Sequence, residues 1–264
     1  MDYDGGFYRI AFIDTEVGVD SQKVQDYGAV RNDGAVLHTQ SSQAFNTFVS
    51  GCDTICGHNI LNFDLQYLHL KDEHRYIDTL PLSPLLFPRK PYHRLVKDDK
   101  LQVDELNNPV NDAKKARDLF YDEVEAWKTL SFRRKVIYRG LLENTREFGG
   151  FFEWLGKDDS QPQENIAAII REEFAGKLCT HANIEAVVKH YPIELAFALA
   201  VIGADDLQSL TPAWVLRNYP KVNNVMAFLC NTPCGVCEYC KRRLDAHVGL
   251  KEFFGYDEFR LFDG

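Results

Sequence analysis

Long apolar runs are scarce in this chain of 264 residues. The longest, Leu195-Ala196-Phe197-Ala198-Leu199-Ala200-Val201-Ile202, is far short of the ~20 residues that span a bilayer, so a membrane protein is not expected. No apolar h-region follows Met1, so no secretory signal is expected either, and a cytoplasmic location is. Positive charge is in deficit, with 30 Lys and Arg against 39 Asp and Glu and a net charge of −9. A surface of that sign does not bind duplex non-specifically through its overall field. No Gly-x-x-x-x-Gly-Lys-Ser/Thr loop occurs, so ATP hydrolysis of the P-loop type is not expected of this chain. Neither an internal repeat nor a low-complexity tract is present. What remains is a globular composition, 45% apolar, with room for one large or two modest domains.

Carboxylates carry the first chemical signal. Asp14 and Glu16 follow the apolar run Phe7-Tyr8-Arg9-Ile10-Ala11-Phe12-Ile13. Side chains alternate along a strand, so acid-x-acid puts both carboxylates on one face. Two adjacent carboxylates repel, and each is costly to desolvate. A divalent cation removes that conflict, and hard Mg²⁺ or Mn²⁺ prefers oxygen ligands. Asp64 ends Gly57-His58-Asn59-Ile60-Leu61-Asn62-Phe63-Asp64, and Asp112 opens Asp112-Ala113-Lys114-Lys115-Ala116.

In this order and spacing the segments resemble the DEDD exonucleases of the DnaQ type, over roughly residues 7–125. Phe12-Ile13-Asp14-Thr15-Glu16 resembles the first motif, and Gln25 to Val30 the second strand. His58-Asn59 through Asp64-Leu65-Gln66-Tyr67-Leu68 resembles the second motif, Ile77-Asp78-Thr79-Leu80 its following strand, and Asp112-Ala113 with Ala116 and Leu119 the third. The resemblance implies an RNase H-like α/β fold, a mixed sheet flanked by helices. It also implies that Asp14, Glu16, Asp64 and Asp112 hold two metal ions about 4 Å apart on a phosphodiester. Glu16 would help position the attacking water. Thr15 and Asn59 would lie beside the terminal nucleotide. The family's general-base His falls at Asn107, and its Tyr variant at Asn108. Asn takes no proton from water at neutral pH, and such assistance is worth roughly 10²–10⁴-fold. His93, in Pro91-Tyr92-His93-Arg94, is the candidate to substitute from a mobile loop, or to contact phosphate. It lies in the basic stretch Arg89 to Lys97, which reads as a path for a strand's phosphates or as a solvated loop.

Cysteine supplies the second signal. Of seven cysteines, Cys230, Cys234, Cys237 and Cys240 fall close together, as Cys-Asn-Thr-Pro-Cys-Gly-Val-Cys-Glu-Tyr-Cys. Pro and Gly between thiols suit a tight knuckle that aims sulfurs at one centre, and Zn²⁺ takes four such ligands tetrahedrally. The fourth ligand is Cys230, Cys179 or His247; Cys230 ends the helical pattern Val222, Val225, Met226, Leu229 and is also read as a core thiol. Cys52 and Cys56 read as buried core thiols.

The rest of the chain reads as helical. Residues 112–130 carry Ala116, Leu119, Phe120, Val124 and Trp127 at helical spacing, and 132–155 continue in that style. Residues 156–162 read as a linker. Helices are expected at about 164–175, 182–190 and 193–202, then after Thr211 as N-cap with Pro212 first in the helix. The last segment, Leu250 to Arg260, contains Phe-Gly-Tyr-Asp-Glu-Phe-Arg and resembles the opening of RecQ-family helicases. The expected organisation is an exonuclease-like domain over 1–130, a helical extension over 131–229, a zinc segment over 230–247 and the start of a helicase over 248–264. This implies metal-dependent 3′–5′ removal of nucleotides from DNA, at a single strand or 3′ end, in concert with a helicase in repair, recombination or defence. The alternative is a module that keeps the fold to bind nucleic-acid ends or a protein partner without cutting.

Overall fold

A computed structural model describes residues 9–18, 20–70, 74–93, 95, 108–157, 165–204, 211–231 and 234–242. Five strands form one mixed sheet: β1 (Ile10–Val17), β2 (Val24–Arg31), β3 (Val36–Thr39), β4 (Thr54–Gly57) and β5 (Arg75–Asp78), in the order β3-β2-β1-β4-β5. The hairpin-linked strands β1, β2 and β3 are antiparallel, whereas β4 and β5 run parallel to β1. Helix α1 (Ser42–Val49) supplies the crossover from β3 to β4.

The two faces of the sheet are both apolar, because β1 lies centrally and is covered on each side. Ala11 and Ile13 point into a cluster with Tyr27, Ala29, Phe45 and Val49, which includes α1. Ile10 and Phe12 point the other way, against α2 (Thr79–Leu86) and α3 (Pro109–Thr129). Phe12 meets Phe120 of α3 at a ring-centroid distance of 5.6 Å. That second cluster continues without interruption into the helical region of α4 (Phe132–Leu142), α5 (Gly149–Leu155), α6 (Ile166–Glu173), α7 (Ile184–His190), α8 (Pro192–Gly203), α9 (Ala213–Asn218) and α10 (Val222–Met226). Helix α8 is apolar on every side and is buried on every side, as its eight-residue apolar run requires. Among the described residues, no helix is long and apolar enough to cross a membrane.

Close backbone contact at two glycines sets how the layers meet. Gly28 on β2 pairs with Asp14 on β1, and a Cβ there would collide with the backbone of Pro109 and Val110. Gly150 on α5 would likewise drive a Cβ into the Tyr76 carbonyl of β5. These positions let a helix rest directly on strand backbone.

The strand runs through Asp14, Thr15 and Glu16, as the alternation of the two acids expects, and ends at Val17. Several sequence expectations shift. The stretch 132–155 is broken into α4 and α5, with a turn at 143–148 between them. Pro212, not Thr211, is the N-cap of α9; the Thr211 hydroxyl instead approaches the Met226 sulfur at 3.4 Å. Most of the linker 156–162, Asn107, His247 and the helicase-like segment lie outside the described residues.

Glu123 is fully buried on α3, and neither carboxyl oxygen has a hydrogen-bond partner among the described residues. Burial, reinforced by Asp78, holds its carboxyl well above the ordinary glutamate range. The folded chain therefore keeps this proton where the unfolded chain has released it. Stability from the neutral acid is fully present below the ordinary value of 4.5. It is lost as pH rises towards the folded value, at up to ~1.4 kcal/mol per pH unit. Glu123→Leu should raise the melting temperature at pH 7.5 and flatten its decline between pH 5 and 8. An unchanged pH profile in a thermal-melt series would contradict this account of the carboxyl.

Candidate metal centres

The first centre forms where β1 meets the start of α3. Asp14 and Glu16 share the α3-facing side of β1, as the alternation requires. Asn108 caps α3, its side chain accepting from the Val110 N–H at 3.0 Å, and Pro109 opens the helix. Capping and proline at the first position fix where the helix starts. The helix start above Gly28 then delivers Asp112, in the first turn, onto the strand pair. One carboxyl oxygen from each of Asp14, Glu16 and Asp112 lies within 4.8 Å of the others. All three residues are half-buried. Lys115, one turn along α3, places its Nζ 3.9 Å from Asp112 Oδ1. The helix N-terminus also favours negative charge at Asp112. Three converging carboxylates, partly open to solvent, match the oxygen-donor preference of a hard divalent cation and leave room for further ligands.

The fourth expected carboxylate is held elsewhere. Asp64 is buried, and its Oδ1 accepts from the Thr15 hydroxyl at 2.7 Å. Thr15 alternates to the opposite side of β1 from Asp14 and Glu16, so this bond keeps Asp64 outside the three-carboxylate group. Burial pushes the Asp64 carboxyl up to about 7. Thr15, itself buried, is thus a partner of Asp64 instead of a surface residue.

Asp64 sits at the end of a loop whose backbone is fixed by Asp78. That carboxylate accepts from the N–H groups of Asn59 at 2.7 Å, Leu61 at 3.1 Å and Leu80 at 3.0 Å. Burial nevertheless pushes Asp78 up to about 6. Asn59 adopts φ +67°, a left-handed conformation that Asn tolerates better than most residues. The expected nucleotide contact at Asn59 therefore starts from a residue whose main chain is pinned. His93 is buried at 5% exposure, its Nδ1 2.8 Å from the Ser83 hydroxyl of α2. Burial pushes its imidazole down to about 4, so it is neutral at pH 7. His93 is packed inward and does not occupy an exposed loop surface.

The second centre joins two distant segments. Donor atoms of Cys179, His181, Cys234 and Cys237 all lie within 4.8 Å of one another. Cys240 borders the group, since its thiol interacts with those of Cys179, Cys234 and Cys237. The Cys237 N–H points at Cys234 Sγ and the Cys240 N–H at Cys237 Sγ, each at 3.4 Å. The second of these lowers the Cys237 thiol to about 5, favouring the thiolate a metal needs. Cys230, by contrast, sends its Sγ to the Lys177 carbonyl at 3.5 Å and lies outside the four-residue group. Cys179 is therefore the distant cysteine that joins the knuckle. His181 was missed in the sequence, although Cys179-Thr180-His181 spaces two donors across one residue. Its Nδ1 lies 3.5 Å from Cys234 Sγ. Cys52 and Cys56 are buried core thiols, as expected.

The cluster predicts unequal effects of cysteine substitution. Cys179→Ser and Cys237→Ser should each lose about one equivalent of metal by elemental analysis of the purified chain, whereas Cys230→Ser should retain it. Retention by Cys179→Ser, with loss in Cys230→Ser, would reverse the ligand assignment.

Comparison of the chain with protein-family models, with curated proteins and with solved structures gives no match.

Proposed function

We propose that this chain is a metal-dependent 3′–5′ exonuclease acting on DNA, built on an RNase H-like fold. The observation that carries the reading is the convergence of Asp14, Glu16 and Asp112 within 4.8 Å. Their order and intervals with Asp64 resemble the DEDD exonucleases, and hard oxygen donors suit Mg²⁺ or Mn²⁺. Such ions, when bound, supply Lewis acidity toward the phosphodiester oxygens. The protein's own part is to hold and orient. Asp14 and Glu16 offer ligands from one rigid strand, and Asp112 offers a third from a capped helix start. Glu16 orients the attacking water. Asp64 would be the fourth ligand, its carboxylate turning from the Thr15 hydroxyl and its proton passing to solvent. The Cys179, Cys234 and Cys237 thiols and the His181 imidazole, with Cys240 alongside, are proposed to hold a structural Zn²⁺ that ties residues 179–181 to residues 234–240. The sequence Phe-Gly-Tyr-Asp-Glu-Phe-Arg, which resembles a segment of RecQ-family helicases, supports a role in concert with such a helicase.

A second reading rests on Asn107, which stands where the related enzymes carry their general-base His. In that reading the fold binds metal and a nucleic-acid end, and cutting is suppressed.

Digestion of 5′-labelled single- and double-stranded DNA with Mn²⁺ or Mg²⁺ separates the two. The nuclease reading expects a metal-dependent ladder from the native chain, abolished in Asp14→Ala and in Asp64→Ala. Asn107→His should then accelerate it, by up to ~10²-fold. A native chain that leaves DNA intact while Asn107→His degrades it would establish the second reading.

A further inference from the structure

The helical region reaches back to the loop that carries Asp64. Arg146, in the turn between α4 and α5, donates from Nη2 to the Leu61 carbonyl at 2.7 Å. The same Leu61 gives its N–H to Asp78 at 3.1 Å, so both sides of this residue's backbone are held. Arg146 also acts on the Asp78 carboxylate, its charge opposing the effect of burial. Asn62 and Phe63 turn back on the Asn59 carbonyl, and Leu65 on that of Ile60. Asp64 follows directly, with its Oδ1 on Thr15. The turn can reach the loop because Gly150 lets α5 rest on the Tyr76 carbonyl of β5, beside Asp78. Arg146 is otherwise exposed, so its guanidinium is not needed to fill the core.

We propose that Arg146 is a positioning residue for Asp64, acting through the Leu61 peptide and Asp78; this rests on the reading of the carboxylates as metal ligands. The helical region thereby contributes to the metal centre without touching it. Arg146→Ala frees the Leu61 carbonyl and lets the 59–64 loop relax, so Asp64 is no longer held beside Thr15, the position from which it would turn to the other carboxylates. Partners that orient a metal ligand are typically worth 10–100-fold in affinity or activity.

The test uses the full chain and reads Mn²⁺ binding by electron paramagnetic resonance of the free ion, beside DNA cleavage. Arg146→Ala should raise the Mn²⁺ needed for half-maximal effect about tenfold, with KM for DNA unchanged, and Arg146→Lys should recover part of it. In an Asp64→Asn background the same substitution should add nothing, because its effect runs through Asp64. Equal effects in both backgrounds would overturn the proposal. So would a rise in KM with unaltered Mn²⁺ dependence, which would make Arg146 a phosphate contact. Mn²⁺ binding that is lost in Asp14→Ala but untouched in Arg146→Ala sinks this inference alone. Mn²⁺ binding that survives Asp14→Ala sinks the metal-site reading beneath it.

Discussion

The direct seating of α3 on β2 at Gly28 is the contact on which the first centre depends. A side chain at that position would collide with the backbone of Pro109 and Val110. With none there, the capped start of α3 lies beside Asp14, the residue that Gly28 pairs with across the strands. Asp112 then comes within 4.8 Å of two other carboxylates, an arrangement that costs free energy unless something compensates it. Lys115 and the helix N-terminus offset part of that repulsion, and a divalent cation would offset the rest. The same helix carries Phe120, Val124 and Trp127 into the main core, so its position is fixed by burial along most of its length. Packing thus holds together charges that would otherwise move apart.

Much of this was legible from residue spacing. Alternation along the strand correctly puts Asp14 and Glu16 on one face. Apolar spacing anticipates α3 and the later helices to within a few residues, because an amphipathic stripe must face a core. The rest depends on contacts that spacing does not encode. Thr15 follows the same alternation to the other face, and there its hydroxyl captures Asp64. His93 sits in a basic stretch that reads as surface, but Ser83 on α2 draws it inside. Thr211 resembles an N-cap, yet the helix starts one residue later and its hydroxyl goes to Met226. The choice between Cys179 and Cys230 was open because sequence proximity favours Cys230, whereas the fold brings Cys179 to the knuckle from more than fifty residues away.

The two centres differ in donor chemistry. Oxygen donors on a strand and a helix start, partly open, suit a hard cation and leave room for further ligands. Sulfur donors with one imidazole, backed by N–H groups aimed at sulfur, suit a softer ion that closes a loop. The helical region packs into a single core with the strand that carries Asp14. One buried cluster includes both Cys237 and Cys240 and Phe12 of β1. Its turn at Arg146 holds the loop that ends at Asp64. The cysteine group is therefore continuous, through packed side chains, with the strand that carries Asp14.

The central claim is that Asp14, Glu16 and Asp112 share a divalent cation. Anomalous diffraction from crystals soaked in Mn²⁺ and measured at the manganese edge tests it most directly. The account predicts a manganese peak between these three carboxylates, within coordination distance of each. An empty site there, with Mn²⁺ bound elsewhere or nowhere on the chain, would contradict it.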